Sequence, residues 1–326
     1  MLHIAVDLQG ADAPAQDLLP GALDFARVHA DTHLTLFGAQ DALYPALWEA
    51  EVENVALVHA PQTVKNTDNP LRVLTEKPES SLARALAFCK EGGAQALVSC
   101  GPTGALFTGG LLRLGRIPGA TPTLLCELHK RDGRPFCVAD CGANVDCRPE
   151  KLADFARMGR AYLQSLGVAN PTFALLSNGA EEGKGNALTK AATPFLAQME
   201  GFLGNVEGTE VPVCPADVIV CEGFAGNVLL KTLEGGAKAA LWGVEQAAAN
   251  LPETERAHLL SCTAAVRREY DYQSKGGAVL AGLRIPVVKG HGAATAETVC
   301  SILRIARAAV LGDLTGRVRA TFAAGT

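Results

Sequence analysis

The sequence is poor in aromatic residues, 5% of 326, and in charge, 19%. It is not poor in core material: apolar residues make up 48%, which excludes disorder. The length suits one large α/β domain over 1–326 with room for two lobes, and no linker interrupts it. Neither charge sign is in large excess, since 29 Lys and Arg oppose 34 Asp and Glu for a net −5. That balance speaks against nucleic-acid binding by bulk electrostatics, and an acidic partner would need a local basic patch. No apolar run approaches the roughly 18–20 residues that span a bilayer. Asp7 interrupts the early apolar run, so no secretory signal is expected. The ten cysteines include no CxxC pair. They read as reduced thiols of a cytoplasmic protein, and the loose group Cys137, Cys141 and Cys147 is expected to bind no metal. No GxGxxG follows the first apolar run, which removes the usual support for a dinucleotide, and no cofactor is expected.

A nucleotide P-loop is also missing, although one stretch imitates it. Leu175–Ala192 reads LLSNGAEEGKGNALTKAA. Gly179 lies one residue too close to Gly183, and Gly185 follows Lys184 where a magnesium-binding hydroxyl belongs. A phosphate cradle remains open; ATP is disfavoured.

What is present is alternation. Short apolar runs at Leu2–Val6, Leu34–Phe37, Val55–Val58, Ala96–Ser99, Leu124–Cys126, Phe136–Ala139, Phe173–Leu176, Val218–Cys221 and Ile285–Val288 read as strands. Helical spacing is read at Gln16–His29, Ser80–Lys90, Thr103–Leu114, from Pro149 onward, Asn227–Asn250 and Ala293–Leu311. The fold class expected is α/β: a mostly parallel sheet with helices on both faces.

In such sheets ligands bind beyond the carboxyl ends of strands. Those ends carry Asp7, Gly10 and Asp12; then Cys100, Gly101, Thr103 and Gly104; then Asp140, Gly142 and Asn144; then Lys184, Gly185 and Asn186; then Glu222, Gly226 and Asn227; and finally Lys289, His291 and Gly292. Glycine lets backbone N–H groups approach a ligand, and helix N-termini add unpaired donors. Asn186 and Asn227 stand where N-caps belong. Each loop alone is an ordinary turn, and Lys184 alone is a solvated lysine beside Glu181 and Glu182. Together they predict one oxyanion site at one sheet edge, with Lys184 and His291 as its charged or proton-carrying members.

Several stretches resemble a known family. They are Asp140-Cys-Gly-Ala-Asn-Val-Asp146, Lys184-Gly-Asn186, Gly204-Asn-Val-Glu-Gly208, the long run Asp217–Gly235 and His291-Gly292. These are similar to the phosphate acyltransferases of bacterial phospholipid synthesis (the PlsX type), in order along nearly the whole chain. The resemblance implies an isocitrate-dehydrogenase-like or phosphotransacetylase-like fold and a homodimer. It implies transfer of a fatty acyl group from acyl carrier protein to inorganic phosphate, giving an acyl phosphate for a downstream glycerol-3-phosphate acyltransferase. The chain departs from the family pattern at Leu8-Gln9-Gly10-Ala11, at Pro102 where the family has an asparagine, at Thr75-Glu76-Lys77 and near Lys275–Val279. The segment Leu251–Tyr272 is short and polar for a membrane-touching excursion, so at most weak peripheral contact is expected.

Phosphate attack on a thioester needs positioning and charge compensation rather than a protein nucleophile. Lys184, His291 and Asn227 are the expected catalytic residues. Asp7, Gly10, Gly101, Thr103, Gly104, Asp140, Asn144, Asn186, Gly226 and Gly292 are the expected substrate and phosphate contacts. Asp140 and Glu222 are expected to orient the lysine or histidine. Basic strips at Arg148, Lys151, Arg157 and Arg160, or at Arg267, Arg268 and Lys275, are candidates for docking the acidic carrier. Two rivals stand beside this reading. One is a short-chain acyl phosphate enzyme using Cys100 as an acyl-carrying thiol. The other is a family member that binds carrier protein or an acyltransferase without turnover.

Overall fold

The computed structural model describes residues 1–130, 132–213, 216–270 and 276–323, and of 265 and 267–270 the backbone alone. Among the described residues eleven strands and their helices follow one another: β1 (Leu2–Asp7), α1 (Ala15–Val28), β2 (Thr32–Gly38), α2 (Gln40–Ala50), β3 (Val55–His59), the single turn α3 (Val73–Glu76), α4 (Ser81–Lys90), β4 (Ala96–Ser99) and α5 (Thr103–Gly109). The chain continues through β5 (Thr123–His129), β6 (Pro135–Ala139), α6 (Glu150–Ser165), β7 (Phe173–Ser177), α7 (Ala187–Leu196), β8 (Phe202–Glu207), β9 (Val218–Val220) and α8 (Gly223–Ala248). It closes with α9 (Glu253–Tyr270), β10 (Gly277–Ala281), β11 (Val287–Gly290), α10 (Ala296–Leu311) and α11 (Leu314–Ala323).

Local sequence sets these boundaries. All four residues of β4 are buried, as a strand covered on both faces requires. Ser80 caps α4 by accepting from the Ala83 N–H at 3.3 Å. Thr295 and Thr298 form a reciprocal capping box at α10. Pro149 stands just before α6, whose buried stripe includes Leu152, Phe155, Ala156, Met158 and Tyr162.

All strands join one sheet in the order β3-β2-β1-β4-β11-β10-β5-β6-β9-β7-β8. Helices cover it on both sides, giving two apolar layers, one built around Ile4, Phe25 and Tyr162 and the other around Phe37, Leu86 and Ile219. Most neighbouring strands are parallel, but β11–β10, β10–β5 and β5–β6 are antiparallel. Three reversals leave β6, β9, β7 and β8 running opposite to β1, β4 and β11. The expectation that six strand ends meet at one edge is therefore corrected. The turns bearing Asp7, Gly101 and His291 open at one edge. Those bearing Asp140, Lys184 and Glu222 open at the other. The antiparallel ladder at β10 and β5 is the physical reason.

Candidate active site

Helix α8 connects the two edges. It departs beside the Asp140 turn, where the Gly223 N–H donates to the Asn144 carbonyl at 2.8 Å. Gly226 has no room for a side chain, because a Cβ there would collide with the Asp140 carbonyl. Two turns later Lys231 reaches the His291 loop at the far edge, with its Nζ 3.1 Å from His291 Nε2. Between α8 and strands β5, β10 and β11 lies a cleft of about 300 Å³. Asn227, Leu230, Lys231 and Glu234 line it from one helix face. Thr103, Lys289, His291 and Gly292 line it from the sheet side.

His291 Nδ1 accepts from the Ala293 N–H at 3.1 Å. A ring nitrogen that accepts carries no proton, so the neutral ring holds its proton on Nε2. Burial, then the charge of Lys231, holds the imidazole below its ordinary value of 6.5, so the neutral ring is the form at neutral pH. The Nε2–H and the Lys231 ammonium therefore meet as two donors, a contact that an anion between them would satisfy. Lys231 also donates to Glu234 Oε2 at 3.1 Å. Lys289 joins the group from the sheet. Its Nζ donates to the carbonyls of Cys100, at 3.3 Å, and Gly290. An ammonium has three protons, so one remains to face the cleft. Burial lowers the Lys289 pKa, while Cys100, Asp7 and Asp12 pull it back up.

Around this group the predicted residues act mostly as scaffold. Asp7 is buried; its Oδ2 accepts from Ser99 Oγ at 2.7 Å and its Oδ1 from the Gln9 N–H at 3.2 Å. Burial raises its pKa to about 6. Gly10, at φ 85°, lies against Gly101, whose Cα would be 3.1 Å from an added Cβ. The Gly101 N–H donates to Ser99 Oγ at 3.0 Å. Gly104 packs on Pro70 rather than facing the cleft. Thr103 opens α5 and does face it. The Asp12 N–H donates to the Gly292 carbonyl at 2.9 Å, tying the first loop to the His291 loop.

At the opposite edge the expectation for Asp140 is corrected. Its carboxylate is fully buried and accepts five donors. These are the N–H groups of Leu124, Gly142, Ala143 and Asn144, and the Asn144 side-chain amide at 2.8 Å. Nothing is left to orient Lys184 or His291. Asn144 spends its other amide proton on the Pro122 carbonyl at 2.9 Å. Asn186 caps α7, accepting from the Thr189 N–H at 2.9 Å. Asn227 is no cap: α8 begins at Gly223, so Asn227 lies in its second turn and borders the cleft beside Gly142.

Lys184 is exposed, with its stem folded over Gly179 near Glu181. Five strand spacings, roughly 24 Å, separate β7 from β11, and the loops leave at opposite edges. Within one chain Lys184 and His291 do not share a site. The Lys184 loop borders a separate hollow with Ser177, Asn186, Glu222 and Ala225 on the other flank of α8. Ser177 Oγ is buried there without a partner among the described residues.

Other expectations also shift. Cys100 is buried, and burial pushes its thiol up to about 12, which speaks against an acyl-carrying thiol there. In the first basic strip, Lys151 and Arg157 pair with Asp154 and Arg148 pairs with Glu150. Arg160 stacks over Phe173. In the second strip, Lys275 and the side chains of Arg267 and Arg268 lie outside the described residues. No group of metal-binding side chains occurs among the described residues, and no described helix is long and apolar enough to cross a membrane. Lys231, inside the run Asp217–Gly235, and Lys289 line the cleft although no local motif marks either of them.

Comparison with known proteins bears on the same chemistry. The family described as fatty acid synthesis protein matches residues 2–317. A phosphate acyltransferase of Geobacillus thermodenitrificans (strain NG80-2) is 38% identical, covering 98% of both chains. One of Lysinibacillus sphaericus (strain C3-41) is 37% identical over 95% of this chain and 94% of its own. The fold is shared with a branched-chain phosphotransacylase from Enterococcus faecalis V583 (TM-score 0.59, 17% identity, 95% of this chain and 99% of that one). It is also shared with a phosphotransacetylase from Streptococcus pyogenes (TM-score 0.61, 15% identity, 94% and 93%). Matched along nearly its whole length, the chain belongs to the fatty acid synthesis protein family and is an enzyme of the phosphate acyltransferase type.

Proposed function

We propose that the cleft under α8 transfers a fatty acyl group from acyl carrier protein to inorganic phosphate, forming an acyl phosphate for phospholipid synthesis. The observation that carries this is the meeting of Lys231 and His291 Nε2 as two donors at 3.1 Å, beside Lys289. A phosphate oxygen placed among them attacks the thioester carbonyl carbon. The new C–O bond forms as the C–S bond breaks, and the proton of hydrogen phosphate passes to the departing sulfur. His291 would give its Nε2 proton to the departing sulfur and regain one from the phosphate, while Lys231 and Lys289 balance the phosphate charge. Asn227 supplies an amide donor for the thioester oxygen. Phosphate-dependent release of carrier thiol from acetyl-, octanoyl- and palmitoyl-carrier protein tests the reading. Release with the long chains supports it; release with acetyl alone favours the short-chain reading; none at any length overturns both.

The expectation for Lys184 fits this reading through a homodimer. Helix α8 leaves Phe224, Val228 and Trp242 exposed on one face, an apolar surface that a second copy would cover. The Lys184 loop borders the same helix near its start. In a dimer Lys184 would serve the anion site of the partner chain. Mixing Lys184→Ala with His291→Ala protein should then restore turnover that neither has alone; no restoration would remove the shared site. A cytoplasmic location, weak peripheral membrane contact at most, and a downstream glycerol-3-phosphate acyltransferase belong to the same proposal.

A further inference from the structure

The cleft has two unlike walls. At one end stand Lys231, Lys289 and His291. Away from them the lining is mostly apolar, with Glu234 and Asn227 among its polar members, and strand register explains how. Lys289, Ala278 and Cys126 are in line across β11, β10 and β5, on the sheet face toward α8. Alternation along β5 adds Leu124 and Leu128 to that face, while Glu127 turns to the other side and accepts from the Tyr162 hydroxyl. Opposite them α8 lays down Leu230 and Leu233. Both are only partly buried, although they face an apolar layer. The cleft between them is an unfilled apolar space that opens directly onto the charged end.

Resting on the function proposed above, we propose that this space is the seat of the acyl chain. The thioester carbonyl lies at Lys289 and His291, and the hydrocarbon runs across Ala278 toward Leu128, beneath Leu230 and Leu233. The occupant follows from continuity: a chain joined to a carbonyl at the charged end has this apolar wall as its nearest cover. Each methylene placed there leaves water, and a hydrophobic pocket discriminates by about 10–200-fold per methylene gained or lost. Ala278 lines the cleft in register with Lys289, so a larger side chain there would obstruct a chain leaving the charged end.

Two variants test this. Ala278→Leu should reduce kcat/KM for palmitoyl-carrier at least about tenfold while acetyl-carrier changes less than about twofold. Leu230→Ala, on the partly exposed helix, should raise the KM for palmitoyl-carrier about tenfold and leave the KM for phosphate unchanged. If wild-type protein releases thiol from palmitoyl-carrier but both variants keep the wild-type ratio between chain lengths, the seat is elsewhere. Equal losses at all lengths, or a raised KM for phosphate in Leu230→Ala, would also overturn it. A wild type without phosphate-dependent release at any length would instead refute the proposed function, so the two failures read differently. If Ala278→Leu fails to fold, Leu230→Ala decides alone.

Discussion

The two edges of the sheet have nearly the same composition: an acid, small residues, an amide and a glycine turn. Their hydrogen bonding is opposite. At the Asp140 turn the buried carboxylate is met, with five donors closing on it. At the His291 edge two donors face each other and a third, Lys289, has a proton to spare. A satisfied loop holds the fold, whereas an unsatisfied one asks for a ligand. Residue type alone does not separate the two; the balance of donors and acceptors does.

Breaking the satisfied edge should give the largest effect. Asp140→Ala strands four backbone N–H groups and an amide, and should cost about 3–5 kcal/mol in urea unfolding. A loss below about 1 kcal/mol would show that the carboxylate is not the organiser of that turn.

Asp7 offers a pH handle on the other edge. Its folded pKa, about 6, lies above the 3.8 of the unfolded chain. The stabilising contribution is therefore complete below 3.8 and lost as pH rises toward about 6. The change should be about 3 kcal/mol, and Asp7→Asn should flatten that limb of the stability curve. An unchanged slope in the variant would assign the titration to another group.

Lys231→Ala sharpens the comparison in the kinetic direction. It should lower kcat/KM for phosphate by about 10²-fold. Unfolding should shift by no more than about 0.5 kcal/mol, because its pair with Glu234 is half exposed. A large stability loss with normal phosphate kinetics would move Lys231 to the structural side. The smallest effect belongs to Asn186→Ala, about 1 kcal/mol from loss of the α7 cap. If turnover falls steeply there while stability holds, Asn186 touches substrate after all.

Much of the fold was legible because buried strands announce themselves. Ala96–Ser99 is β4 as read, and Ser80 caps α4 where the helix was expected to begin. Helix α2 was hidden by Pro45 inside it. Strand β10, GAVLA, was hidden by its brevity and opening glycine, and with it went the sheet reversal. A two-residue shift did the rest. The apolar run predicts the last strand at Ile285–Val288, whereas it spans Val287–Gly290, which puts Lys289 on a strand facing α8. The start of α8 at Gly223 moved Asn227 from a cap into the second turn and Lys231 onto the cleft. Within the site, His291 and Gly292 were legible as a strand-end loop. The Lys231–His291 contact joins residues sixty apart, and no local pattern encodes it.

The claim on which the rest depends is that an anion sits between Lys231 and His291. Titrating inorganic phosphate while following the His291 ring nitrogens by NMR tests it most directly. The expected result is a saturable shift of Nε2 that Lys231→Ala weakens or abolishes. A His291 ring indifferent to phosphate, in protein that still consumes phosphate, would contradict it.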